Sequence, residues 1–147
     1  MPGTDRYDIE CLRGEFTDAG LMADLDRMAA LFTERGILRI PEANVEFTSR
    51  AEIRAGLERL RTVWEFMVQT IHPGTVEVNG DQATGRTYVH EFGRFRDGTS
   101  HTNYAIYHDR YERTGAGWKF AERTYEILYT DDTPLPGRAA ARFGAAT

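Results

Sequence analysis

A change of hydrophobic period near Phe66 constrains this chain more than any other feature. Before it, apolar residues recur every three or four positions, the spacing of a helix face. After it they alternate, the spacing of a half-buried strand. Ile9, Leu12, Phe16 and Ala19 trace a first helix face, with Gly20 as its expected stop. Leu25, Met28, Ala29 and Phe32 trace a second helix, with Asp24 at the N-cap and Gly36 as the expected end. Ile37 to Ile40 reads as a short strand closed by Pro41. Ser49 and Glu52 form a capping box that opens a third helix, whose buried stripe is Ile53, Leu57, Leu60 and Trp64.

Strands follow over Phe66 to His72, Thr75 to Val78, Ala83 to Phe95, Thr102 to Arg113 and Trp118 to Tyr129. Asn79-Gly80, Asp97-Gly98 and Gly115 to Gly117 mark the turns between them. Helices first and an antiparallel meander second predict an α+β domain. Three N-terminal helices then pack on one face of a strongly curved sheet and leave a cone with an open mouth. A concave apolar site of that kind suits a small ligand. Residues 7–133 form the domain, residues 1–6 a frayed start and residues 134–147 a flexible Ala/Gly/Arg-rich tail.

Charge and composition remove several classes of function. With 18 Lys and Arg against 23 Asp and Glu, the net charge is −5 and no basic block is present, so nucleic acid is not an expected partner. No basic amphipathic stretch or long apolar run points to a membrane. Cys11 is the single cysteine, so an internal disulfide is excluded. The first residues lack the basic and apolar regions of a signal peptide, and a cytoplasmic location is expected. The histidines lack metal-ligand spacing, and there is no P-loop, G-x-G-x-x-G or G-x-S-x-G, so no metal, nucleotide cofactor or serine nucleophile is expected.

Three motifs carry a family resemblance. They are the run Asp24 to Phe32, the turn Val78 to Ala83, and Tyr107 to Arg113 followed by Gly117 to Phe120. In order and spacing they resemble the SnoaL-like branch of the nuclear transport factor 2-like superfamily, over roughly residues 7–130. That superfamily includes polyketide cyclases, scytalone dehydratase, a hexachlorocyclohexane dehydrochlorinase and non-catalytic proteins. Fold alone does not choose among them. Thr70 to Thr75 resembles the segment carrying the dehydrochlorinase's catalytic histidine.

The resemblance implies a cofactor-free cyclase, dehydratase or isomerase acting on a hydrophobic molecule such as a polyketide or steroid-like compound. It makes His72 the general base, because a neutral imidazole suits proton removal from carbon. In the family a carboxylate ending the first helix orients that histidine. A gapless match places Leu21 there, while counting down from Phe16 lands on Asp24, which the local pattern reads as an N-cap. Glu91 is the other candidate partner. It shares a strand face with Thr87 and Val89, as Asn103 shares one with Ala105, Tyr107 and Asp109. The implied roles give Asn103, Tyr107 and Arg123 a substrate oxyanion, with Arg123 equally able to pair with Glu91. Leu21, Trp64, Thr70 and Val89 would line the apolar wall. His90, His101 and His108 are weaker candidates. The resemblance also implies a homodimer through the outer sheet face that holds Tyr104 and Ile106. The alternative is a non-catalytic binding or assembly module on the same scaffold.

Overall fold

The computed structural model describes residues 2–143. Three helices, α1 (Pro2–Leu21), α2 (Leu25–Ala30) and α3 (Arg50–Thr62), accompany six strands. The strands are β1 (Phe32–Ile40), β2 (Val45–Phe47), β3 (Trp64–Asn79), β4 (Gln82–Phe95), β5 (Ser100–Thr114) and β6 (Gly117–Asp131). They form one unclosed, curved sheet in the order β2-β1-β6-β5-β4-β3, antiparallel except where β1 meets β6. This is the α+β cone expected from the period change.

The first-helix stripe behaves as its spacing dictates. Ile9, Leu12, Phe16 and Ala19 are buried, and Phe16 sets its ring edge-on to Phe32, Tyr107 and Phe120 at 5.8–6.0 Å. The helix starts earlier than expected. Asp5 is buried and takes two hydrogen bonds from the Arg113 guanidinium, at 2.8 and 2.9 Å, and one from Trp118 Nε1 at 3.2 Å. These contacts tie the first turn to β5 and β6 where a frayed end was expected. The same hydrogen bonds from Arg113 and Trp118 lower the Asp5 carboxyl to about 2.

Four boundaries differ from the expected ones. The second helix stops at Ala30, because Leu31 turns its carbonyl to Phe120 N and Phe32 pairs with Phe120 in the sheet. Gly36 therefore lies within β1, at a register shift, and does not end a helix. The helix α3 ends at Thr62, and Trp64 opens β3. The strand β3 is continuous through Pro73, absorbing it with a register shift between His72 and Thr75. A Cβ on Gly74 would sit 1.8 Å from the Arg86 carbonyl oxygen, so only glycine fits that close approach. The β3–β4 turn is Gly80-Asp81, one residue later than the Asn-Gly pair suggests. Gly80 has φ +64° at the first turn position, as a II′ hairpin requires.

Caps conform more closely. Asp24 Oδ1 accepts from Arg27 N at 3.1 Å, and Ser49 Oγ accepts from Glu52 N at 3.0 Å. Glu52 reaches back to Thr48, whose N and Oγ1 donate at 2.8 and 2.9 Å. After β6 the described part of the tail is held by the sheet. Arg94 donates to the Leu135 and Gly137 carbonyls, Leu135 N donates to Ser100 Oγ, and the Phe143 ring lies 6.1 Å from Phe66. Residues 144–147 of the expected flexible tail lie outside the described residues. No described helix is long and apolar enough to cross a membrane.

Candidate functional site

A cavity of about 710 Å³ opens between the helices and the concave sheet face. Leu21, Leu25, Met28, Leu57 and Leu60 wall it from the helices, and Trp64, Phe66, Phe95 and Ile127 from the sheet. Its polar groups come from one row across the sheet. Gln69 pairs with Glu91, and Glu91 with Asn103, as direct neighbours on β3, β4 and β5. Since side chains alternate, all three point to the same face, and the neighbouring pair Tyr107 and Tyr125 joins them from two rows along that face.

Glu91 is the centre of this cluster. Its Oε1 accepts from Gln69 Nε2 at 2.9 Å, and its Oε2 meets His101 Nε2 at 3.1 Å. The same Oε2 accepts from Tyr125 at 3.3 Å and from Asn103 Nδ2 at 3.4 Å. Gln69 Nε2 also donates to the Tyr107 hydroxyl at 3.2 Å. The side chains of Glu91 and His101 are each 12% exposed. His101 is wedged beside Trp64 and Phe95, whose rings stack 4.0 Å apart. Desolvation holds the Tyr107 phenol up at about 12, so it remains a neutral hydrogen-bond donor near pH 7. Burial raises Tyr125 as well, and the neighbouring Glu91 charge adds to it.

The structure separates the residues that the resemblance brings together. His72 is exposed and outside the cavity. It pairs with Tyr88 on β4, three residues beyond inward-facing Gln69, and so falls on the outer face. Asp24 is likewise exposed, occupied as the α2 cap and facing Arg27 at 3.6 Å. Thr70 is exposed and does not line the cavity, while Val89 is buried in the core beside it. Leu21, Trp64, Glu91, Asn103 and Tyr107 do line it.

Arg123 holds neither substrate nor Glu91. It lies opposite Asp109 in the β5–β6 register, and both side chains have 0% exposure with Nε 2.8 Å from Oδ1. Tyr107, Phe120 and Phe16 surround the guanidinium at 3.8, 4.3 and 4.6 Å. Tyr111 donates to Asp109 at 2.7 Å, and Arg13 Nε donates to the Tyr111 oxygen at 2.7 Å. This ion pair belongs to the core below the cavity.

His101 follows the Asp97-Gly98 turn, where position alone does not mark a site residue. Its signal was nevertheless present, since it shares parity with Asn103 and Tyr107. The other two histidines face outward: His90 stacks on Tyr104 at 4.6 Å, and His108 meets Glu126 at 2.9 Å. Among the described residues no three His, Cys, Asp or Glu side chains converge as metal ligands would.

Comparison with solved structures finds the same fold elsewhere. A protein of Novosphingobium aromaticivorans, provisionally described as an aromatic ring hydroxylase, is 25% identical with a TM-score of 0.82, covering 90% of this chain and 96% of that one. One provisionally described as a scytalone dehydratase, from the same organism, is 22% identical with a TM-score of 0.79, covering 95% and 100%. Hexachlorocyclohexane dehydrochlorinase LinA-type3 from Novosphingobium barchaimii is 20% identical with a TM-score of 0.79, covering 90% and 91%. Comparison with curated protein sequences finds no match. The SnoaL-like domain profile matches residues 14–124, and the chain belongs to that family.

Proposed function

We propose that this protein is an acid–base enzyme that moves a proton at carbon in an apolar small molecule, with Glu91 and His101 as its working pair. The observation that supports this most is a carboxylate set in an apolar cavity and hydrogen-bonded to an imidazole at 3.1 Å. Gln69, His101, Asn103 and Tyr125 all turn a hydrogen-bonding atom to Glu91. Glu91 takes a proton from a carbon beside a carbonyl group. The C–H electron pair moves into the new C=C bond, and the carbonyl π pair moves onto oxygen. The Tyr107 hydroxyl, which accepts from Gln69 and keeps its own hydrogen available, donates to that oxyanion. His101, holding its Nε2–H toward Glu91, keeps the carboxylate in place. Returning the proton to another carbon completes an isomerisation. Loss of a hydroxyl from the β-carbon, with the proton leaving as water, completes a dehydration.

The cavity volume suits ring compounds of polyketide or steroid-like size. Family membership and the likeness to dehydratase and dehydrochlorinase folds support the lyase-type variant. A second reading, a binding module without chemistry, is favoured by Leu21, an apolar residue where the resemblance puts an orienting acid. Isotope exchange separates the two. The enzyme incubated in D2O with a cyclic ketone such as 2-tetralone should exchange α-protons faster than buffer, as followed by NMR. Binding of ketones across a panel with no accelerated exchange would leave the binding module.

A further inference from the structure

We infer that the cavity prefers ring compounds bearing a hydroxyl group to their ethers, and that Asn103 is the residue that reads the hydroxyl. This rests on the acid–base site proposed above and names the compounds it accepts. Glu91 is the charged member of the polar row inside the cavity and pairs with no lysine or arginine, although Arg61 and Arg96 also line the cavity, Arg61 with no ion pair among the described residues. Arg123 is fully buried, committed to Asp109 and absent from the lining. Glu58 and Glu65 on the lining are paired with Arg54 and Arg94, and Arg96 donates to the Thr62 carbonyl. An anionic ligand group placed beside Glu91 would face a carboxylate across a medium that screens poorly, while one placed at Arg61 would meet an unpaired cation, so charge alone does not rank the ligands.

Hydrogen bonding ranks them. Asn103 is 7% exposed, lines the cavity, and its Oδ1 has no partner. The neighbouring carboxylate sets the orientation of the amide. Nδ2 must face Glu91 Oε2 and the Tyr125 hydroxyl, at 3.4 and 3.5 Å, which turns Oδ1 away from them. A buried acceptor left unpaired is costly, and a ligand that supplies a donor recovers that cost. Gln69, His101, Tyr125 and Asn103 Nδ2 all serve Glu91, and the Tyr107 hydroxyl, whose hydrogen is the uncommitted one, is assigned above to the substrate oxygen. The vacancy therefore asks for O–H rather than for another acceptor.

Calorimetric titration with a matched probe set tests this at pH 7. The set is 2-naphthol, 2-methoxynaphthalene and naphthalene. The expected order puts 2-naphthol about tenfold tighter than 2-methoxynaphthalene, the scale of one net hydrogen bond. In Asn103→Leu, 2-naphthol should fall about tenfold to the methoxy compound's level, while naphthalene binds as before. Equal binding of 2-naphthol and its methyl ether by the wild type would overturn the inference. So would a hydroxyl preference that survives in Asn103→Leu. The wild-type ranking decides even where the variant does not fold. Intact ranking without isotope exchange would remove the acid–base reading alone. Lost ranking with intact exchange would remove only the selection by Asn103.

Discussion

At the scale of single residues, the interior holds two polar clusters with different tasks. Glu91 keeps some exposure to the cavity, while Asp109 and Arg123 keep none. Breaking the sealed pair leaves an uncompensated charge, so Arg123→Leu should destabilise the fold by about 3–5 kcal/mol in urea unfolding. A milder loss, under about 1 kcal/mol, would show that Asp109 finds other donors. Tyr107 gives a pH prediction. Its phenol, raised to about 12 by burial, donates only while protonated, so no loss of activity from this group is expected below about pH 11. Its ultraviolet titration should show a tyrosine ionising well above the ordinary value of 10.0. Tyr107→Phe should lower proton exchange by about 10²-fold, the loss typical of one oxyanion donor.

Among the elements, the parts legible in the sequence are those fixed by local period and caps. The α1 stripe, the Ser49 and Asp24 caps and the shared parity of Asn103 and Tyr107 all follow from spacing. The rest depends on pairing between distant segments. Phe32 suits a helix face by spacing, yet pairing with Phe120 puts it in β1. His72 and Gln69 lie in one run, and only the β3–β4 register shows which of them faces inward. The start of α1 likewise depends on Arg113 and Trp118, more than a hundred positions away. That tie has a definite pH sign. Because folding lowers the Asp5 pKa to about 2 from 3.8, its stabilisation is present above pH 4 and is lost as pH falls toward 2. Asp5→Asn should therefore melt below wild type at pH 7, with the gap narrowing between pH 4 and pH 2. A gap independent of pH would assign the loss to packing.

For the whole molecule, the sheet divides the chain into a concave side that holds the cavity and an outer side that carries exposed aromatic residues. Tyr88, Tyr104, Tyr129 and Leu128 are 39–58% exposed, and a second copy covering them would form a homodimer. Light scattering at micromolar concentration should give twice the 16.7 kDa chain mass, and Tyr104→Glu should shift it toward monomer. Monomer mass for the wild type would reject the dimer. The two sides also pose the central question, because the histidine suggested by family resemblance lies outside and the Glu91–His101 pair lies within. Deuterium exchange into 2-tetralone by Glu91→Gln and His72→Ala, measured side by side on folded protein, tests this directly. Glu91→Gln should lose about 10²–10⁴-fold, and His72→Ala should keep a rate within about twofold of wild type. Full exchange in Glu91→Gln, or its collapse in His72→Ala, would contradict the role given to the inner pair.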